Sequence, residues 1–356
     1  MISMGAGTDA TRGPALSRWR EAPMATGGRR RSWLSVDALA ACLTAAAAAP
    51  SIHNTQPWRF EVRGAVIDVL ADLDRRLSVV DPDGRQLLMS VGAAVLNLRV
   101  AMLAHGRLPT ARLLPDSRRP DVVARLVQGP PVAPDHTVRT LAAAITKRRT
   151  NRLPFQSAAI PTPILSDLVD AASAEGARLT VLGPAARNAV FGLTMMAEER
   201  LRERSSYRDE LAAWLGGPPG RRDGLPRWAL GPRDRDGRLP LRDFALAAPD
   251  LDLGSAAFER HPRVVVLATR GDTPYHWIRA GQALERVLLT ATARGLSATP
   301  MNQALEVPRL RRFVADEYNG WHAQAILRIG YGGAVPPTPR RGLDELLVPA
   351  VVAAAR

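Results

Sequence analysis

The chain has 356 residues, of which 46% are hydrophobic, 23% charged and 5% aromatic, and its formal charge is +14. The single cysteine, Cys42, excludes an intrachain disulfide framework and every cysteine-rich zinc site, and no uninterrupted apolar stretch approaches the ~20 residues that span a bilayer. The positive charge comes from 47 arginines and one lysine, Lys147, scattered without a basic stripe or interleaved aromatics, which argues against a nucleic-acid partner.

Residues 1–33 carry Gly, Thr, Pro and Arg without apolar periodicity and are expected to form a disordered arm. Within them Gly5-Ala6-Gly7-Thr8-Asp9-Ala10 imitates a dinucleotide loop without a preceding strand, and Arg30-Arg31 imitates an export signal whose apolar run Asp37 interrupts. Val36 to Ala49 has helical spacing and is stopped by Pro50. Trp58 to Val62 alternates as a strand and Val66 to Asp72 follows a turn at Arg63-Gly64, which predicts a β-hairpin. A long amphipathic helix runs from Gln86 to His105 and stops at Gly106.

Part of this pattern then recurs. Gly281, Leu284, Leu288 and Gly295 repeat the helix that holds Gly92 and ends at Gly106, each glycine pair being fourteen residues apart. Arg178 to Leu182 echoes the strand after Trp58. The chain therefore reads as two related halves, 34–134 and 135–356, meeting near a Pro130–Pro134 linker. Val264 to Ala268 has no polar alternation, as expected of a strand buried on both faces, and Ala325 to Ile329 is a last strand ending at Gly330. Between Ser205 and His261 lies an insertion that the first half lacks, dense in Gly, Pro and Arg from Gly216 to Pro240. A loop of that length is expected to be a lid or disordered rather than core, with Trp214 or Trp228 available to stack on a flat ligand.

The densest group of chemistry-bearing residues is Pro50-Ser51-Ile52-His53-Asn54-Thr55-Gln56-Pro57. Two prolines stiffen a helix–strand loop and leave Ser51, Asn54 and Gln56 to present donors and acceptors, as the edge of a heterocycle requires. The alternative is a plain connection whose polar residues cap backbone groups. No HExxH, GxxxxGK[ST] or GxSxG motif occurs.

This element resembles the FMN-dependent nitroreductase superfamily, whose helix–loop–strand signature reads AxxAPSxxNxQPWxF. Ala46, Pro50, Ser51, Asn54, Gln56, Pro57, Trp58 and Phe60 match it. Arg148-Arg149-Thr150-Asn151-Arg152 is similar to the family's basic run for the FMN phosphate and ribityl chain. Gly295 to Asn302 is similar to the loop under the flavin ring, and Pro339-Arg340-Arg341 to the basic tail that returns to the phosphate. The resemblance implies an α+β, nitroreductase-like fold of mainly antiparallel sheets wrapped by helices. It also implies cofactor contacts at Pro50, Ser51, Ile52, Asn54, Gln56, Arg148, Arg149, Thr150, Arg152, Pro300, Met301, Asn302, Gln303, Arg340 and Arg341. Bidentate guanidinium contacts suit a phosphate monoester, although Arg149 points to the opposite side if its segment is extended.

Ordinary members of the family are homodimers in which the APSxxN loop of one subunit completes the FMN site of the other. Here both elements lie in one chain, each in a different half, so the chain resembles a fused pseudo-dimer with one complete pocket, as in the single-chain, actinobacterial Acg-like subgroup. The resemblance implies one FMN per chain and hydride transfer from NAD(P)H to a nitroaromatic, quinone or similar flat acceptor. The alternative is a non-catalytic protein that sequesters FMN beneath its lid. The flavin itself carries the hydride, so no catalytic side chain is assigned. His53, His276 and His322 are candidate proton donors. The expected partner is a small-molecule acceptor, with no nucleic acid and no membrane, for a monomer in the cytoplasm.

Overall fold

The computed structural model describes residues 33–248, 250, 252–314 and 319–348; the expected N-terminal arm lies, but for its last residue, outside them. Helix α1 (Val36–Ala47) begins where the Ser35 hydroxyl accepts from the Ala38 amide. Strands β1 (Trp58–Arg63) and β2 (Val66–Ala71) form the expected antiparallel hairpin, turning through Gly64 at φ +58°. Trp58, Phe60 and Val62 point into a core shared with α1, whereas Glu61 and Asp68 on the other face are ion-paired to Arg63, Arg119 and Arg125. Helix α2 (Arg85–Ala104) follows, and Gly106, left-handed at φ +74°, ends it.

By length and mean hydropathy (1.9) α2 could cross a membrane, although Ser90, Asn97 and Arg99 interrupt its apolar run; 78% of that window is buried inside the protein. Strands β3 (Arg107–Leu113) and β4 (Val122–Pro131) complete the first half, and β4 takes up Pro130 and Pro131 of the expected linker. Helices α3 (His136–Ile145) and α4 (Thr162–Ala174) lead to strand β5 (Arg178–Val181), helix α5 (Pro184–Arg202) and helix α6 (Ser205–Ala213). Two-residue strands β6 (Arg233–Asp234) and β7 (Ser255–Ala256) precede β8 (Arg263–Thr269), α7 (Pro274–Ala293), β9 (Ser297–Pro300), β10 (His322–Gly330) and β11 (Leu347–Val348).

The strand order is β11-β1-β2-β4-β3 in one sheet and β5-β8-β10-β9 in the other. Without β11, which joins β1 in parallel, the two orders correspond strand for strand, and every pairing is antiparallel. Helices α2 and α7 pack on each other through their glycines. A Cβ on Gly92 would lie 2.2 Å from the Ile278 carbonyl oxygen, and one on Gly281 would lie 1.9 Å from that of Met89. Met89 and Ile278 each stand three residues before the glycine of their own helix, so the contact is reciprocal.

The connection from β5 to β8 covers residues 182–262, so it includes α5 as well as the expected insertion, and it is not a bare loop. Tyr207, Leu211, Leu225, Leu230, Leu239 and Phe244 form a core with Val264 and Val266. Val265 and Leu267 face α7 instead. Both faces of β8 are therefore covered, which accounts for its uninterrupted apolar run.

Candidate functional site

The loop after α1 is held in a costly conformation. His53, Asn54 and Gln56 all have positive φ, at 45°, 57° and 49°. Asparagine and histidine are found in this region more often than other side chains; glutamine occupies it only where the surroundings enforce it. The Ser51 hydroxyl accepts from the Gln56 amide at 2.9 Å, and the Ile52 amide donates to the Ser90 hydroxyl of α2 at 3.3 Å.

The two amide side chains act as bolts. Gln56 Nε2 donates to the Arg222 carbonyl at 2.8 Å and its Oε1 accepts from the Arg341 amide at 2.8 Å. Asn54 Nδ2 donates to the carbonyls of Gly224 (3.0 Å) and Pro339 (3.1 Å), while its Oδ1 accepts from Arg340 at 2.8 Å. Gln56 is thus committed to backbone groups, as in the plain-connection alternative, and not to a ligand. Arg341 is committed too, to the Gln56 carbonyl, Asp72 and Glu345, and it leaves the arginine cluster.

Two adjoining cavities lie over this loop. The larger, roughly 1180 Å³ with its mouth included, has a mainly apolar body: Ile52 from the loop, Met89 and Ala93 from α2, Leu284 and Leu288 from α7, and Leu230, Leu241 and Phe244 from the 182–262 connection. Pro300 and Asn302 line it from the other side. Asn54, Thr338 and Arg340 line the smaller, which also has Trp228 at its rim. Pro50, Ser51, Arg148, Arg149, Thr150 and Arg152 border both, so one end of the combined site is strongly basic.

Arg149 stays with its neighbours because its segment is not a regular strand; Thr150 makes only an isolated bridge to Ala298. Burial, with Arg148 and Arg149 nearby, pushes the Arg340 guanidinium down to about 9. Burial and Arg242 bring Arg152 down to about 10, and burial and Arg148 lower Arg149. The Nε atoms of Arg148 and Arg340 are buried without a hydrogen-bond partner among the described residues. A cluster in which cations depress one another and leave buried donors unused has the chemistry to take up an anion.

Met301 and Gln303 do not reach either cavity. Met301 is buried in the core over β8 with its amide donating to the Ile326 carbonyl at 2.9 Å, and Gln303 Nε2 donates to the Pro240 carbonyl at 3.3 Å. Of the three histidines, His53 alone lines a cavity. Burial, reinforced by Arg242 and Arg152, drives its imidazole well below the ordinary range, so it is neutral and no ready proton donor. His276 instead pairs with Thr273 at 2.8 Å. Trp214 packs near the guanidiniums of Arg75 (5.8 Å) and Arg221 (5.6 Å) and lines neither cavity.

Three functional candidates were not read from the sequence. Arg242 is half-buried in the larger cavity's wall, ion-paired to Glu306 at 2.6 Å and bonded to the Tyr207 hydroxyl, and Phe244 packs on the Arg152 guanidinium at 5.1 Å. Nothing local distinguishes Arg242 among the arginines of its segment. Glu285 sits 3.5 Å from Arg148, and it did carry a signal: it is a carboxylate within the apolar stripe of α7.

The model of the Nitroreductase family matches residues 145–331. The Mycobacterium tuberculosis H37Rv protein "Putative NAD(P)H nitroreductase Rv3131" is 33% identical over 314 residues, covering 86% of this chain and 89% of that protein. The same organism's "Putative NAD(P)H nitroreductase acg" is 30% identical over 322 residues, or 88% of this chain and 96% of that one. Among solved structures, a nitroreductase with bound FMN from Bacteroides fragilis NCTC 9343 matches 62% of this chain and 100% of its own at 12% identity, with a TM-score of 0.34.

Proposed function

The chain belongs to the nitroreductase family, and from that premise we propose that it is an FMN-binding oxidoreductase that transfers a hydride from NAD(P)H to a nitroaromatic, quinone or similar flat acceptor. The observation that carries this reading is the pairing of an apolar cavity with an arginine end that holds unused buried donors. FMN has the matching chemistry, a flat ring at one end and a phosphate at the other. Arg148, Arg149, Arg340 and the Thr150 hydroxyl would hold the phosphate. Ser51, Ile52, Pro300 and Asn302 would border the remainder. Bound FMN would supply the hydride chemistry, and the chain's task is to hold the ring, exclude water and leave one face accessible. A cytoplasmic setting, where nicotinamide reductants are available, fits this reading.

The corresponding strand orders and the reciprocal glycine contact support two fused halves acting as a monomer. By that correspondence, Arg99 and Arg279 take the places of the cavity-lining Leu288 and Ser90. Arg99 pairs with the Glu175 carboxylate at 2.8 Å, Arg286 pairs with it at 2.7 Å, and Arg279 donates to the Glu175 carbonyl at 2.8 Å. Charged side chains thus fill the place of a second flavin. The purified protein is expected to carry one FMN per chain, measured as flavin absorbance against protein mass. Two per chain would overturn the single-site reading, and a protein that rejects added FMN would overturn the cofactor assignment.

The sequestering alternative is supported by a specific feature: the 182–262 connection supplies Leu230, Leu241, Arg242 and Phe244 to the larger cavity's wall and is fastened there through the Arg242–Glu306 pair and through Arg152, which donates to the Ala229 carbonyl. Loosening that attachment with Arg242→Met and Glu306→Gln together is expected to speed anaerobic reduction by NAD(P)H by roughly tenfold or more if the lid gates access. Equal and fast reduction in both proteins would support an ungated oxidoreductase instead.

A further inference from the structure

Beside the basic end of the site, lining neither cavity, lies a buried carboxylate that the proposed chemistry does not use. Glu285 projects from α7 with no exposed side-chain surface, and its Oε1 lies 3.5 Å from Arg148 Nε. Neither of its oxygens has a hydrogen-bond partner among the described residues. Asn97 of α2 is the polar neighbour; its amide donates to the Ala45 carbonyl at 3.1 Å and also favours the ionised form of the carboxylate. The charged groups that bear on Glu285 are Arg148, from the segment after α3, and Arg340, from the C-terminal segment; Arg149 adjoins both of these. Resting on the FMN reading, we propose that Glu285 is the built-in counter-ion of the phosphate cradle and takes up a proton from solvent when the phosphate of FMN binds.

The reasoning is electrostatic. In the flavin-free protein burial pushes the Glu285 carboxyl up to about 7, and Arg148, the Asn97 amide and the charge of Arg340 keep it from rising further. A phosphate monoester brings close to two negative charges to the same guanidiniums. Two anions sharing one set of cations in a buried site do not both stay ionised, and the group already near neutrality is the one that gains the proton. The direction follows. Below the flavin-free value Glu285 is already neutral and binding draws no proton; above it, each FMN bound draws one, and affinity falls as pH rises. The phosphate's own second ionisation, near pH 6, has the opposite sign and is largely complete by pH 7. Riboflavin has no phosphate and is expected to draw no proton.

The test uses the full-length chain freed of flavin, titrated with FMN and with riboflavin from pH 6 to 9. Calorimetry at pH 8 in buffers of different ionisation enthalpy counts the protons taken up. Uptake approaching one proton per FMN and none per riboflavin is expected, with the FMN Kd rising roughly tenfold between pH 7 and pH 8.5. Glu285→Gln is expected to bind FMN with a flat profile above pH 7. FMN binding without proton uptake, or an unchanged pH dependence in Glu285→Gln, overturns the proposal. The wild-type calorimetry decides the matter even if that variant does not fold. Absence of FMN binding at every pH would instead overturn the flavin reading itself, and this proposal with it.

Discussion

Replacing Arg148 and Arg340 together by alanine is expected to weaken FMN binding by about two to four decades while leaving riboflavin within about tenfold. Hydrogen bonds to charged groups contribute ~1.5–3 kcal/mol each, and the double variant removes two guanidiniums that border the basic end of the site. The discrimination between the two flavins is the informative part, because they share the ring and the ribityl chain and differ in the phosphate. A modest loss common to both is expected, since Arg340 also donates to Asn54 Oδ1 at 2.8 Å and so steadies the loop over α2. Loss of Arg148 also strips Glu285 of its nearest cation, and the carboxyl should then remain protonated at neutral pH. Fluorescence titration of both flavins measures the effect. Equal losses for FMN and riboflavin would place these arginines away from the phosphate.

Gly281→Ala is expected to destabilise the protein by about 3 kcal/mol or more, with Gly92→Ala close behind. Overpacked cores usually lose ~1–3 kcal/mol because side chains move aside. Here the obstacle is backbone: the added Cβ would meet the Met89 carbonyl oxygen at 1.9 Å in one case and the Ile278 carbonyl oxygen at 2.2 Å in the other. Relief requires α2 and α7 to separate, which would also disturb Met89, Ala93, Leu284 and Leu288 in the cavity wall. Gly192 of α5 is the control, since a Cβ there meets nothing within 4 Å and the helix should gain ~0.5–1 kcal/mol from alanine. Thermal unfolding of the three variants separates the cases. A Gly281→Ala protein as stable as the parent would show that the helices do not approach as closely as described.

Much of the fold was legible in local pattern. Pro50, the Gly64 turn and the left-handed Gly106 and Gly295 mark ends and turns because backbone geometry there admits few residues. The apolar run of β8 announced burial on both faces, and the fourteen-residue glycine spacing announced the repeat. Strand β3 is not legible in this way, for a matching reason. β3 reads Arg-Leu-Pro-Thr-Ala-Arg-Leu and is mostly exposed, so it carries no buried face for periodicity to reveal.

The basic run around Arg148 and the Pro-Ser-Ile-His-Asn loop were visible as residue types in the sequence by itself. Their division of labour was not. Whether Asn54 and Gln56 face a ligand or fasten backbone depends on Gly224, Arg222, Pro339 and Arg341, each more than 160 residues away. Whether Arg340 and Arg341 act alike depends on Asp72 and Glu345, which draw one of them out of the cluster. The segment rich in Gly, Pro and Arg looked like a loop because its apolar residues are widely spaced, yet Leu225, Leu230, Leu239 and Phe244 meet over β8 once the chain is folded. Local sequence determined the elements and the chemical inventory, because backbone and periodicity constraints act over a few residues. Tertiary structure decided which polar groups are consumed and which are left for a ligand, because the partners of a buried donor or charge come from distant parts of the chain.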